Sequence, residues 1–300
     1  MSLRGKTAIV GYGETPNTRG NPTERTSLGL LADAAAAAMA DAGIHKGEIN
    51  GLIAEPQFGV PGLGFAYNFA EYIGIQPNFA TALNENAATF IATAAAAIHA
   101  GYGDTFLCIN GSVTGGPFAP GPPDQTDSRF VEPYGPVVAA NGWYAQIARR
   151  HAFEYGTTDE QRAKVAADQR FNTQGNENSV FNGQPISVED VMNSRLVADP
   201  LRMLECVMPC TGAAATIVTT AEKAKSLKNP PVYLLGAGQH TWRAEHGVDW
   251  TRPITTSPAT VGARRAFEMA GLSPNDMDMA QIYDCYTITV MITLEDAGFI

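Results

Sequence analysis

One alanine-rich stretch without charged side chains predicts the centre of the fold. Residues 84–101 have the sequence NENAATFIATAAAAIHAG, and no charge interrupts residues 87–98. Alanine is the strongest helix former, and a helix with no polar face belongs inside a protein. We therefore predict a helix that is buried on every side. Its entry residues, Asn84, Glu85 and Asn86, could cap the first turn, where the helix dipole favours an anionic or thioester oxygen.

Short apolar runs alternate with helical patterns around this stretch. Residues 7–11 and 48–54 predict strands on either side of a helix that starts at Thr26 or Ser27 and stops at Gly43. Such alternation is typical of an α/β fold. Further strands are predicted at residues 79–83, 104–110 and 232–236, and further helices at residues 67–72, 158–167 and 221–227.

Two glycines follow the first predicted strand. Gly11, Tyr12 and Gly13 predict a turn at this point. The third glycine of a dinucleotide-binding loop is missing and Pro16 follows, so nucleotide binding is not indicated.

The alternating pattern breaks between residues 115 and 200. Prolines crowd the first part of this segment, and polar helical stretches follow them. Insertions of this kind commonly cover substrates, although a plain surface elaboration would give the same pattern. We predict an inserted loop domain at residues 115–200 over a substrate cavity. Residues 1–114 and 201–229 would then form one α/β half around it.

The chain also repeats itself. Residues 8–15 (AIVGYGET) resemble residues 233–240 (YLLGAGQH), and residues 40–55 (ADAGIHKGEINGLIAE) resemble residues 268–283 (EMAGLSPNDMDMAQIY), at a spacing of roughly 225 residues. We therefore predict two similar halves, of which the second, residues 230–300, is incomplete. A half-built layer would expose a strand edge and an apolar helix face, so we expect roughly 90 further residues to complete it.

The balance of residue types fits a globular protein. Of 300 residues, 45% are hydrophobic and 17% are charged, and the formal net charge is −10. This acidic balance, without any basic run, argues against nucleic acid or an anionic membrane surface as a partner. The sequence shows neither a secretory signal nor an apolar run that could span a membrane. We expect a cytoplasmic protein.

The cysteine pattern indicates neither disulfides nor a metal site. The four cysteines, Cys108, Cys206, Cys210 and Cys285, are too few and too scattered for a disulfide framework. Cys206 and Cys210 lack a second pair or a nearby histidine, so no zinc is expected. Cys108 lies in a predicted core strand.

The two α/β halves and three motifs together resemble the thiolase superfamily. The motifs are YGTTDEQRAKVA at residues 155–166, DPLRMLECVMPCTGAAATIV at 199–218 and AQIYDCYTITVMITLEDAGF at 280–299. They resemble the branch of sterol-carrier-protein and lipid-transfer-protein thiolases, which includes steroid side-chain aldolases. The resemblance implies duplicated α/β/α/β/α layers with the alanine-rich helix in the central layer. It also implies a homodimer that pairs through the strand near residues 79–83.

The resemblance also locates a missing nucleophile. Thiolases carry a cysteine just before the first turn of the central helix, where the helix dipole lowers the pKa of the thiol. In this chain the position holds Asn84, followed by Glu85, and no cysteine precedes Cys108. Neither side chain has the soft sulfur that carries an acyl group. Ordinary thiolysis is therefore not expected.

A second motif in the resemblance supplies candidate acid–base groups. Residues 281–286, QIYDCY, match a loop that reads His-Asp-Cys-Phe in the sterol-carrier branch, and Tyr283 stands at the first of these positions. A tyrosine there resembles the aldolase branch, in which a phenol is implicated in retro-aldol cleavage. We expect Tyr283 to transfer protons, unless it merely closes a strand end. Asp284 would orient it or cap the next helix, and Tyr286 would line the cavity. Cys285 is a rival nucleophile.

The leading functional hypothesis is a carbon–carbon lyase that cleaves a β-hydroxyacyl coenzyme A thioester, with a steroid or other bulky acyl group. Such a cleavage needs a base for the β-hydroxyl proton and donors for the enolate, with the thioester as substrate and no bound cofactor. An acyltransferase that uses Claisen chemistry and a non-catalytic subunit remain as alternatives. By analogy with the branch, a small OB-fold protein with a zinc ribbon is an expected partner.

Overall fold

The computed structural model describes residues 2–20, 24–56, 64–114, 139–242 and 252–300. Strands and helices alternate along the first half, as the sequence predicts. Its strands are β1 (Thr7–Glu14), β2 (Gly51–Ala54), β3 (Phe79–Ala82) and β4 (Thr105–Ser112), and its helices are α1 (Ser27–Ala42), α2 (Phe65–Ile73) and α3 (Ala87–His99).

One mixed sheet of six strands forms the core, and later strands β7 (Gly212–Thr220) and β8 (Val232–Tyr233) complete it. The strand order is β3-β2-β4-β7-β1-β8. Strand β2 runs parallel to β3 and β4, whereas β7 is antiparallel to β4 and β1. Helices α1 and α2 pack on one face and α3 on the other. The carboxyl ends of β1 to β4 therefore lie at the same edge, where α/β proteins commonly bind ligands.

The predicted turn after the first strand is wrong. Strand β1 continues through Gly11 and Gly13, which face α1. A side-chain carbon at Gly13 would collide with the backbone of Ala34 and Ala38. These glycines therefore permit close packing of a helix on a strand instead of forming a turn.

The boundaries of the first helix are confirmed, whereas several other elements are shorter than predicted, among them β8, which ends at Tyr233 and not at residue 236. Thr26 accepts the Gly29 N–H at 3.1 Å, and Gly43 closes the helix with a φ of 71°. Strand β2 begins only at Gly51, because Lys46–Glu48 form a 3-10 turn before it. The helix predicted at residues 221–227 is the short α7 (Ala221–Ala224).

The alanine-rich helix α3 forms as predicted, but the described residues do not enclose it on every side. Asn86 caps it by accepting a backbone N–H of the first turn at 3.0 Å. Phe90 and Ala94 are buried against the sheet, whereas Ala88 and Ala96 are exposed. The prediction of complete burial is therefore wrong for the part of the chain that the structure describes.

The described part of the inserted segment contains helices and a short hairpin. Its elements are α4 (Ala139–Tyr155), α5 (Asp159–Thr173), α6 (Val188–Asn193) and a hairpin of β5 (Leu196–Ala198) and β6 (Leu201–Arg202). Thr158 and Gln161 form a capping box at the start of α5, which agrees with the helix predicted there. The proline-rich part of the predicted loop domain, residues 115–138, lies outside the described residues.

The sequence repeat has a structural counterpart in the packing of glycines. Helix α8 (Ala259–Ala270) lies against the segment that follows β8. Gly238 in that segment approaches the backbone of Gly262 and Ala266. Gly13 approaches α1 in the same way in the first copy. Both copies of the repeat therefore make the same kind of close glycine–helix contact.

The two helices of the repeat, α1 and α8, also end in the same way. Gly43 and Gly271 both take the left-handed conformation, with φ of 71° and 64°. A 3-10 turn with a capping box follows each of them, at Lys46–Glu48 and Pro274–Asp276. Helix α9 (Thr287–Asp296) then stands at the place of α2 in the chain. No helix in the described ranges is both long and apolar enough to cross a membrane.

Candidate active site

A segment without regular secondary structure leads into α9, and we call residues 281–286 the site segment. An antiparallel bridge joins Tyr286 to Cys206. The Val207 N–H donates to the carbonyl of Cys285 at 2.8 Å. The site segment is therefore held by the stretch of chain that returns from the inserted domain.

Tyr286 anchors the site segment to the inserted helix α4. Its side chain is buried, and its hydroxyl donates to Asn141 Oδ1 at 2.6 Å. Its ring stacks on Tyr144 with 4.3 Å between the ring centroids. Burial, and then the neighbouring Cys206, Cys285 and Tyr283, raise the pKa of Tyr286. The phenol therefore stays neutral at physiological pH and serves as a hydrogen-bond donor.

Tyr283 lies at the surface, with 73% of the residue exposed. Partial burial, and then Cys285 and Asp284, raise the pKa of its phenol. A neutral phenol at this position could donate a proton or a hydrogen bond, but it is a poor base near pH 7. Asp284 is exposed, and the described residues include no hydrogen bond between its side chain and Tyr283. The first turn of α9 has no side-chain cap.

The cysteines show no sign of an activated thiol in their surroundings. Burial raises the pKa of Cys108 to about 12, and burial with the nearby Glu205 raises that of Cys206 to about 11. The pKa of Cys210 is also raised by burial. Cys285 is 5% exposed, and its Sγ lies 3.3 Å from Thr289 Oγ1. A nucleophile that carries an acyl group must be a reachable thiolate. Burial disfavours the thiolate of Cys108, Cys206 and Cys210, and the side chain of Cys285 is buried.

The start of α3 is polar and open. Asn84 and Glu85 are both exposed, and only Asn86 contacts the first turn. The predicted position of the lost thiolase nucleophile is thus a capped helix N-terminus without a thiol. Such an N-terminus can still favour an anionic oxygen.

Glu55 is a candidate site residue that the sequence reasoning missed. It follows β2 directly, and its N–H donates to the Ile109 carbonyl at 3.0 Å. The Leu83 N–H donates to the carbonyl of Ala54, so Asn84 leaves the adjacent strand at the same edge. Glu55 therefore lies one strand away from the start of α3.

The environment of Glu55 suits a general base. Burial raises the pKa of its carboxyl, while a hydrogen bond from the Gly111 backbone opposes that shift. Carboxylates tuned in this way are common among catalytic bases. The signal was present in the sequence, because the repeat pairs Glu55 with Tyr283. By contrast, no sequence pattern marks Asn141 and Tyr144 as partners of the site segment.

A cavity of about 360 Å³ lies beside the site segment. The wall combines α4, α9 and the stretch before α8, with apolar side chains such as Trp143, Ile288 and Ile292. Tyr144 and Thr289 also line it, and these two residues contact Tyr286 and Cys285 respectively. Its size and apolar lining are typical of a small-molecule site. Within the described ranges, no group of His, Cys, Asp or Glu side chains could hold a metal ion.

Comparison with known proteins places these features in a family. The family model described as "Thiolase C-terminal domain-like" matches residues 239–300. The chain is 31% identical to the 17-hydroxy-3-oxo-4-pregnene-20-carboxyl-CoA lyase of Mycobacterium tuberculosis, over 99% of this chain and 80% of the relative. It is 43% identical to the acetyl-CoA acetyltransferase of Methanothermobacter thermautotrophicus over 52% of this chain, which corresponds to 40% of that relative.

A solved structure extends the similarity to the fold. The Ltp2–ChsH2(DUF35) aldolase matches with a TM-score of 0.85 and 27% identity, over 99% of this chain and 78% of that chain. The protein therefore belongs to the thiolase superfamily. Within it, the chain falls in the branch of sterol-carrier-protein thiolases and steroid side-chain aldolases. The resemblance in sequence motifs and the predicted α/β fold class are thereby confirmed.

Proposed function

We propose that the protein is a carbon–carbon lyase that acts on a β-hydroxyacyl coenzyme A thioester. In the retro-aldol step, a base removes the β-hydroxyl proton and the bond between Cα and Cβ breaks. The Cβ fragment leaves as an aldehyde or ketone, and the electron pair passes to the thioester as an enolate. A proton then returns to Cα and gives a shortened acyl thioester.

The observation that carries this proposal is the contrast between the starts of two helices. The start of α3 has Asn84 where a thiolase needs a thiol, whereas the approach to α9 has an exposed phenol, Tyr283. A retro-aldol cleavage forms no acyl–sulfur bond with the enzyme, so it does not require the missing cysteine. The similarity to a coenzyme A lyase and to an aldolase structure supports the same chemistry.

We assign the proton donor to Tyr283 and the base to Glu55. The raised pKa of Tyr283 keeps the phenol protonated, which suits return of a proton to the enolate. Glu55 supplies a carboxylate at the sheet edge beside α3. Asp284 would tune Tyr283 by its charge, and Tyr286 would fix the position of the site segment. The cavity between α4 and α9 would receive the bulky acyl group under the inserted domain, residues 115–200.

Two incubations of the purified full-length protein test the proposal. With a β-hydroxyacyl thioester that is branched at Cβ, we expect release of the matching ketone and a shortened acyl thioester, measured by mass spectrometry. With a β-ketoacyl thioester and free coenzyme A, we expect no thiolysis. Thiolysis without cleavage of the hydroxy substrate would contradict the lyase.

An acyltransferase that uses Claisen chemistry is the second candidate. The identity of 43% with an acetyl-CoA acetyltransferase over half of the chain favours it. That reaction would need an acylated cysteine, and Cys285 is the rival nucleophile on the site segment. A reactive acyl thioester that labels Cys285 stoichiometrically would support this alternative. The absence of both activities would favour the non-catalytic subunit.

Two assembly proposals accompany the lyase. Strand β3 lies at the end of the sheet order, so it could pair with the same strand of a second copy in a homodimer. The matched aldolase structure is a complex with a DUF35 protein, which supports a partner of the DUF35 type for this chain. Analytical ultracentrifugation with and without such a partner would test both assemblies.

A further inference from the structure

A buried charged network connects the inserted domain to the first turn of α9. Arg162 on α5 is fully buried, and its Nε donates to Glu205 Oε1 at 3.0 Å. Glu205 is itself 4% exposed. The same Oε1 atom accepts the hydroxyl of Thr287 at 2.9 Å, and Oε2 accepts the Arg202 N–H at 2.9 Å. A second guanidinium nitrogen of Arg162, Nη2, donates to Asp159 Oδ1 at 2.7 Å.

Stability alone is a poor explanation for this network. Burying an ion pair costs desolvation free energy that the attraction often fails to recover, and apolar residues can replace such pairs without loss. Here the Nη1 atom of Arg162 is buried with no hydrogen-bond partner among the described residues, which adds a further penalty. A network that contributes little net stability is better explained by the geometry that it enforces.

The network fixes the geometry of the site segment. Thr287 is the first residue of α9 and follows Tyr286 directly. Glu205 lies two residues before Val207, whose N–H holds the Cys285 carbonyl at 2.8 Å. The carboxylate therefore holds the start of α9 through Thr287, while the adjoining stretch of chain holds the segment before it. Tyr283 precedes both attached residues, Cys285 and Thr287, in the chain.

We propose that Glu205, held by Arg162, is a positioning residue that fixes the site segment through the Thr287 hydroxyl. The proposal rests on the lyase function proposed above, because it assigns Tyr283 a required position in that reaction. The hydrogen bond to α9 then adds to the Val207–Cys285 bond in fixing the position of the phenol. Loss of the hydrogen bond to α9 displaces Tyr283 without unfolding the protein.

A matched pair of variants at Thr287 tests the hydrogen bond in the full-length protein. Thr287→Val keeps the shape and removes the hydroxyl, whereas Thr287→Ser keeps the hydroxyl. We expect kcat for thioester cleavage to fall by about tenfold to a hundredfold in Thr287→Val, with KM nearly unchanged, because small misplacement of a reacting group has costs of this order. Thr287→Ser should restore most of kcat.

Glu205→Gln separates positioning from stability. The amide oxygen can still accept from Thr287, but the charge that pairs with Arg162 is lost. We expect a lower midpoint of thermal unfolding with a smaller loss of kcat than in Thr287→Val. The exposed ion pair of Lys164 and Asp168 on α5, the helix of Arg162, supplies a control. The double variant Lys164→Gln/Asp168→Asn should change neither the unfolding midpoint nor kcat. A kcat that simply follows the unfolding midpoint across all variants would overturn the positioning role.

Hydrogen exchange distinguishes failure of this proposal from failure of the lyase itself. The Val207 N–H that bonds to Cys285 should exchange faster in Thr287→Val than in Thr287→Ser, even if no thioester is cleaved. Absence of cleavage by the unmodified protein would refute the lyase, and the exchange result would then decide the positioning role alone. Equal exchange in the two variants would refute the positioning role.

Discussion

The two copies of the repeat share their helix–strand packing but differ in the stretch of chain that comes next. Gly13 and Gly238 both bring a backbone against a small-residue helix, and a capped 3-10 turn follows each helix. After that turn, the first copy forms β2 between two neighbouring strands. In the second copy, residues 279–284 form no strand. The local sequence of each copy therefore determines how its helix packs against the preceding segment, whereas strand formation depends on neighbouring strands.

Equivalent positions of the two copies hold two titratable residues. Glu55 directly follows β2 in the first copy, and Tyr283 stands at the equivalent position of the second. Burial raises the pKa of both side chains. Raised values make the carboxyl a stronger base and keep the phenol protonated. In the proposed lyase, equivalent positions of the two copies would thus supply the base and the acid that a retro-aldol cleavage requires.

The largest expected effect tests the second copy. Tyr283→Phe removes the phenolic proton and leaves the ring, so kcat for thioester cleavage should fall by about a hundredfold to ten-thousandfold. Tyr67→Phe on α2, which is 66% exposed, is the matched control in the first copy and should be silent. Steady-state kinetics with a β-hydroxyacyl thioester measures both. Unchanged activity of Tyr283→Phe would remove the proposed role and would assign the proton transfer to another residue.

The next effect tests the first copy through pH. A carboxylate base works only when it is deprotonated, so kcat should fall as the pH drops through the pKa of Glu55. Burial raises that pKa above the ordinary value of about 4.3 and moves the fall toward neutral pH. Glu55→Gln should lower kcat by at least about tenfold and abolish the acidic limb.

The alkaline limb of the same profile belongs to the phenol. Tyr283 must stay protonated to donate, and its raised pKa places the decline above about pH 10. An acidic limb that persists in Glu55→Gln would assign the base to another residue.

A stability experiment asks whether the two copies pack equally well. Gly13→Ala and Gly238→Ala each place a methyl group against helix backbone, which should cost about 1–3 kcal/mol of unfolding free energy. Gly13 lies in the central sheet, so we expect the larger loss there. Chemical denaturation would measure both, with Gly5→Ala as a comparison that has open space but a positive φ of 65°. No loss in Gly238→Ala would show that the second copy is loosely packed.

Many features of the two copies could be predicted from the sequence, and the features that could not be predicted have physical causes. Helix ends were predictable because Thr26 and Gly43 act within one turn of chain. The role of Gly11 and Gly13 was not, because an extended glycine and a turn glycine look alike until a helix packs against one. The site segment was found through its motif, whereas the contacts of Tyr286 with α4 depend on residues far away in sequence.

The smallest expected effect concerns the 3-10 turns after the repeated helices. Asp276 accepts hydrogen bonds from the hydroxyl and the N–H of Ser273, and these bonds lower the pKa of its carboxyl. Its stabilising contribution is therefore complete above the unfolded value of about 4 and is lost as the pH falls through the lower folded value. Asp276→Asn should lower the midpoint of thermal unfolding slightly at pH 7. The difference from the unmodified protein should vanish at pH values below the folded pKa, because both side chains are then uncharged. A difference of the same size at low pH would mean that the carboxylate charge does not stabilise this turn, and that the capping box of the second copy acts only through its shape.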